Sequence, residues 1–169
     1  MTALRSLVDP SILRFNRSKA PDERVTDDGA GGVMTAEVTS AFLYVADVLR
    51  SVEFYNEVVG AEIRQLHAEE EGGPLSLAIL RLGDFTLMIH PQGPHEEDFK
   101  GQRMGLGIHL QLRVGDIDAF YQRCLDEGAI LSVSGEPVDQ EWGWKEFALK
   151  DPDGYVWSIY QDNSNGRWM

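Results

Sequence analysis

The chain states one phrase twice. Val45-Ala46-Asp47 leads into a helical stretch with Phe54-Tyr55 and then Gly60-Ala61. Val114-Gly115-Asp116 leads into a helical stretch with Phe120-Tyr121 and then Gly128-Ala129. Each copy closes on a related strand-like phrase: Gly83-Asp84-Phe85-Thr86-Leu87-Met88-Ile89-His90 in the first, Asp153-Gly154-Tyr155-Val156-Trp157-Ser158-Ile159-Tyr160 in the second. The copies are offset by 69 residues at the Val-x-Asp signature and by 68 at Gly-Ala. A repeat of that length, present only twice, is a duplicated module and not a solenoid array. Two copies of one half-module usually wrap a shared cavity.

The local signals give each copy the order βαβββ. Asp47 is a helix N-cap after a strand over about 38–46, and Gly60 ends the helix at the C′ position. Val52, Tyr55, Val58 and Val59 make the apolar stripe of that helix. Strands are expected near 61–67, 75–82 and 85–90, with an acidic, Gly- and Pro-containing connector over 91–105. In the second copy, a strand over 107–114 precedes a helix capped by Asp116 or Asp118, and strands near 129–134, 144–149 and 155–161 follow. Asp151-Pro152-Asp153-Gly154 reads as a type I turn; it lacks the spaced oxygen ligands of a calcium loop. The fold class is therefore α+β: two tandem βαβββ modules, about 38–93 and 106–161, forming a curved mixed sheet around a cavity with helices outside.

Residues 1–33 differ from the rest. Pro10, Pro21 and Asp27-Asp28-Gly29-Ala30-Gly31-Gly32 break regular structure, so this part reads as a flexible extension with room for a short helix within 2–16. The domain proper spans 34–169, and Met34 is an alternative start. The extension holds five basic and five acidic residues, so the net charge of −13 belongs entirely to the domain. So acidic a domain repels phosphate backbones, which argues against a nucleic-acid partner, and it attracts cations. No apolar run approaches the roughly 20 residues that cross a bilayer, and the N-terminus has no secretory pattern. Cys124 is the single cysteine, read as a core thiol. A cytoplasmic location is the default expectation.

The strand over 107–114 alternates cleanly. Ile108, Leu110, Leu112 and Val114 share one face; His109, Gln111 and Arg113 share the other. A polar face on a central strand is costly unless it lines a solvated cavity or binds something. Strand parity adds Phe42, Tyr44, Met88, His90, Ser158 and Tyr160 to the same expected hollow. Such a mixture of aromatic, apolar and a few polar groups suits a small-molecule pocket.

The doubled βαβββ unit with these phrases resembles the vicinal-oxygen-chelate superfamily, which includes glyoxalase I, extradiol dioxygenases and bleomycin-resistance proteins. The resemblance covers about residues 38–161. It implies four metal-ligand points, which fall here on Ser40, His109, Met88 and Ser158. The family pattern at those points is His, Gln or Glu, and only His109 conforms. No metal and no cofactor are therefore expected. The segment Trp142-Gly143-Trp144-Lys145-Glu146-Phe147-Ala148-Leu149-Lys150-Asp151-Pro152 is similar to its counterpart in bleomycin-resistance proteins. Those proteins sequester a cationic antibiotic in a groove at a dimer interface and catalyse nothing. The resemblance implies a homodimer that binds a small aromatic, cationic molecule by stacking on Trp142 and Trp144, with His109, Gln111 and Arg113 fixing its orientation. The rival reading is an enzyme of the lyase, isomerase or dioxygenase type. It would use a displaced metal on His90, His109 and Glu141 or Glu146, or His109 as a metal-free general base. A third reading is a sensor or partner-binding subunit that uses residues 1–33.

Overall fold

The computed structural model describes residues 10–15, 38–92, 104–129 and 135–164. The expected modules are present. In the first, β2 (Ser40–Val45) is followed by helix α1 (Val48–Phe54), a π-helical turn (Tyr55–Val59), β3 (Glu62–Ala68), β4 (Leu75–Leu82) and β5 (Phe85–Pro91). In the second, β6 (His109–Arg113) is followed by α2 (Ile117–Asp126), β7 (Val138–Asp139), β8 (Trp144–Lys150) and β9 (Val156–Asp162). The strand expected near 129–134 lies almost wholly outside the described residues, as does most of the connector between the modules.

Each module builds its own mixed sheet. The first strand pairs parallel with the last, β2 with β5 and β6 with β9, and the remaining neighbours are antiparallel. The duplication extends to register. Phe42 lies opposite Met88 as Gln111 lies opposite Ser158, and Tyr44 lies opposite His90 as Arg113 lies opposite Tyr160. Among the described residues no strand of one sheet is laddered to a strand of the other, so β2 and β6 are each an edge of their sheet. This corrects the expectation that the strand carrying His109 is central. Its polar face is tolerated because an edge strand meets water.

The first sheet has a further member. Leu13–Phe15 forms β1, which pairs parallel with Leu66–Ala68 of β3 after a 3₁₀ turn at Pro10–Ile12. This much of the extension was expected to be flexible or helical; it is instead a strand that covers the backbone of β3.

Both helices start as their sequences require. The Asp47 carboxylate accepts from the Arg50 N–H at 3.2 Å and that of Asp116 from the Ala119 N–H at 3.0 Å. Such a cap contributes about 1 kcal/mol. The unequal offsets now have a physical meaning. From capping aspartate to terminating glycine, the first copy is one residue longer than the second. The π-helical turn holds that extra residue, as π-bulges do. The Phe-Tyr pairs, by contrast, are not equivalent. Phe120 follows its cap by four residues and Phe54 follows its cap by seven, so only Tyr55 is fully buried while Tyr121 packs edge-on against Phe147.

The helix-bearing faces of the two sheets share one core. Leu43, Val45, Leu80, Leu87 and Ile89 of the first module and Phe147, Leu149, Trp157 and Ile159 of the second are buried in a single cluster with both helices. Arg123 of α2 donates through its guanidinium to the backbone carbonyls of Glu57 and Asn56. It thereby caps the carboxyl end of the first module's helix, where cations are favoured. Gly60 ends that helix at φ 83°, and a side-chain carbon there would stand 3.2 Å from Arg123 Nη1.

The turn between β8 and β9 fastens the modules. The Gly154 N–H donates to the Asp151 carbonyl at 3.1 Å, which closes the expected turn. Asp151 is buried; its Oδ1 accepts from the N–H groups of Asp153 and Tyr155, and its Oδ2 accepts from the Tyr55 hydroxyl at 2.6 Å. That hydroxyl also accepts from Trp157 Nε1 at 3.2 Å. The Asp153 carboxylate accepts from the Ala46 N–H and from Ser51 Oγ. The Tyr155 hydroxyl bridges the backbone N–H and carbonyl of Tyr44. No helix among the described residues is long and apolar enough to cross a membrane.

Candidate functional site

Alternation on a strand sends every second side chain to the opposite face. With Leu43, Val45, Leu87 and Ile89 committed to the core, the intervening residues make an open face on the first sheet. Phe42 is 47% exposed there, while Tyr44, Met88 and His90 are half-buried. Phe42, Tyr44 and His90 form a triangle of rings with centroids 5.5–5.8 Å apart. His90 Nδ1 lies 2.7 Å from the Pro91 carbonyl oxygen. A carbonyl only accepts, so Nδ1 carries hydrogen, and in the neutral ring Nε2 is left as an acceptor.

The second sheet's open face is more polar. His109, Gln111 and Arg113 are exposed along β6, and Ser158 and Tyr160 lie beside them on β9, buried. Trp144 stacks on Tyr160 with centroids 4.2 Å apart and planes 20° from parallel. Its Nε1 is buried and has no hydrogen-bond partner among the described residues. Ser158 Oγ lies 3.5 Å from Glu146 Oε2, at the limit of a hydrogen bond. Trp142 stands 43% exposed in the turn before β8. One side of Trp144 is thus already covered by Tyr160, whereas Trp142 is the more open of the two rings.

The expected site residues therefore form two groups. Phe42, Tyr44, Met88 and His90 share one sheet; His109, Gln111, Arg113, Trp144, Ser158 and Tyr160 share the other. Both open faces lie opposite the faces that meet in the core. No hydrogen bond or ring contact in the described residues links one group to the other.

The four points at which the resemblance places metal ligands do not fit a divalent ion. They offer one imidazole, one thioether and two hydroxyls, divided between two sheets. The displaced set fares no better within one chain: His90 and His109 are on different sheets. No three His, Cys, Asp or Glu among the described residues converge as metal ligands would. His109 has no hydrogen-bond partner among the described residues to orient its ring as a general base.

The fastener at Asp151 carries the clearest shifts in acidity. Burial pushes the Asp151 carboxyl upward against the lowering effect of its hydrogen bonds from Tyr55, Tyr155 and Asp153. Burial, reinforced by the Asp151 charge, likewise raises the Tyr55 hydroxyl. Both belong to the joint between modules rather than to an open face. Sequence reasoning read Asp-Pro-Asp-Gly only as a turn, because the partners of its carboxylates are far away in the chain.

Comparison with known proteins completes the picture. A family model described as "Glyoxalase/Bleomycin resistance protein/Dioxygenase superfamily" matches residues 36–159. An uncharacterized protein of Mycobacterium bovis is 32% identical over 127 residues, covering 72% of this chain and 81% of that protein. The uncharacterized protein YraH of Bacillus subtilis is 26% identical over 125 residues, covering 70% of this chain and 93% of that one. Among solved structures, TioX from Micromonospora sp. ML1 superposes with a TM-score of 0.60 at 20% identity, covering 75% of this chain and 98% of that one. A glyoxalase/bleomycin resistance protein/dioxygenase from Nocardioides gives 0.60 at 18% identity, covering 82% and 91%. At such identities the structural likeness speaks for the fold alone.

Proposed function

The chain belongs to the glyoxalase/bleomycin resistance protein/dioxygenase superfamily, and on that footing we propose that it sequesters a small, flat aromatic molecule, without a metal, in a groove between two copies of itself. The observation that carries this reading is the pairing of two ring-bearing open faces with two sheet-edge strands. The Phe42–Tyr44–His90 triangle lies along edge β2, and the Trp144–Tyr160 stack lies on the sheet whose edge is β6. Large apolar side chains flank those edges in the open: Val38 and Phe42 at one, Leu106 and Ile108 at the other. Edge strands flanked by exposed apolar groups favour association. A two-fold pair of chains would set the first face of one copy against the second face of the other. Aromatic faces then supply affinity for a flat ring, at about 0.5–1.5 kcal/mol per ring pair beyond burial.

Sequestration is favoured over turnover by the state of the candidate groups. Among the described residues His109 has no partner to hold its tautomer, and the family's ligand points lack a ligand set. Binding a toxic planar compound stoichiometrically would protect a cell from it. The lone buried thiol fits a reducing cytoplasmic setting.

The test is tryptophan fluorescence titrated with a panel of flat aromatic compounds, combined with sedimentation at the same concentrations. Saturable quenching by a dimeric protein supports the reading. A monomer that binds none of the panel refutes it.

A further inference from the structure

The overall charge of −13 suggests a cationic ligand, yet the carboxylates on the open faces, Glu146 and Asp162, lie on the second sheet alone and each has a neighbouring serine as a hydrogen-bond donor. Across the central rows of the first open face, Phe42, Met88 and Ile79 and then Tyr44 and His90, there is no carboxylate. The corresponding row of the second face reads Arg113, Tyr160, Glu146. Glu146 is half-buried and touches Ser158 Oγ. Arg113 is exposed, and among the described residues it has neither an ion pair nor a side-chain hydrogen bond. Asp162 is the carboxylate whose charge reaches it, yet Asp162 Oδ1 is taken by the N–H and hydroxyl of Ser164. In a chain this acidic, a guanidinium with no contact ion pair among the described residues, set beside an aromatic stack, is open to an anionic group. Guanidinium is also the group best shaped to grip a carboxylate through two parallel N–H donors.

We propose that the ligand is a flat aromatic acid, whose ring lies against the aromatic groups of the open faces and whose anionic group is held by Arg113. The proposal rests on the binding reading above and sharpens it. It replaces the cationic ligand that the resemblance implied with an anionic one chosen by local charge. The net charge then acts as a filter. It slows the approach of anions in general and leaves affinity to those that reach Arg113.

Three probes with one ring system separate the possibilities: 2-naphthoate, 2-naphthylmethanol and 2-naphthylmethylammonium, titrated into the full chain by calorimetry. The acid should bind roughly 10- to 100-fold more tightly than the alcohol, the range of a charge-assisted hydrogen bond. Arg113→Gln, at an exposed position that leaves the fold intact by circular dichroism, should erase that advantage and bring the acid to the affinity of the alcohol. A preference for the ammonium probe, or an undiminished acid preference in Arg113→Gln, overturns the anionic assignment and leaves the binding reading standing. Failure of all three probes to bind overturns both.

Discussion

Tyr55→Phe isolates the joint between the modules. Tyr55 is fully buried, so phenylalanine keeps its ring packing against Phe54 and Trp157 and loses only the hydroxyl. Two interactions go with it. The Asp151 carboxylate loses a 2.6 Å donor, leaving two backbone N–H groups. Trp157 Nε1 loses its acceptor in the interior. A hydrogen bond to a charged group contributes about 1.5–3 kcal/mol, and an orphaned buried donor costs about 1–3 kcal/mol. The two overlap, because both are counted against one hydroxyl, and about 3 kcal/mol is the expected loss. With a urea dependence of about 2 kcal/mol per molar, the unfolding midpoint should fall by roughly 1.5 M. Tyr121→Phe is the control: it stands on the other helix, and its hydroxyl bonds to nothing among the described residues. Its cost should stay within about 0.5 kcal/mol. Equal midpoints for the two variants would refute the idea that this hydroxyl joins the modules.

Three further outcomes follow from the same contacts. Burial raises the Asp151 carboxyl, so the fold binds that proton more tightly than the unfolded chain does. Its contribution to stability is therefore full below the ordinary carboxylate range and is lost as pH rises through the folded pKa. The stability of the native chain relative to Asp151→Asn should fall as pH is raised from about 3 to 7; a rise in urea titrations at several pH values would contradict this. Gly60→Ala should cost about 1–2 kcal/mol for its left-handed backbone, plus the crowding against Arg123 Nη1. In an Arg123→Ala background thermal melts should show a smaller cost; an unchanged one removes the crowding. Burial pushes the Cys124 thiol up to about 11, so iodoacetamide should label it only in urea, and rapid labelling of the native chain by mass spectrometry would place the thiol elsewhere.

The duplicated phrase made the fold legible, because caps, terminating glycines and strand parity are local signals. Even the one-residue difference in offset carried information, realised in the π-helical turn at Tyr55–Val59. What was not legible is how the halves meet. That is decided by contacts such as Tyr55 with Asp151 and Ser51 with Asp153, each linking residues some hundred positions apart, which no periodicity reports. Strand parity was legible strand by strand, with Phe42, Tyr44, Met88 and His90 on one open face and His109, Gln111 and Arg113 on another, although the sequence reading puts them all in one hollow. Their separation was not legible, since the shared core turns both open faces outward in a single chain. The strand at Leu13–Phe15 carried no pattern long enough to separate it from a linker; it exists because the β3 edge offers it partners.

The central claim is that one groove draws on two chains, and mixed dimers test it most directly. Phe42→Ala damages the first open face and Trp144→Ala the second. Each alone should abolish binding of a flat aromatic probe in both grooves. A heterodimer of the two variants holds one groove with both substitutions and one with neither. Fluorescence titration of that purified heterodimer should recover binding at half the native stoichiometry with native affinity. If the heterodimer binds no better than either variant, the groove does not form between copies.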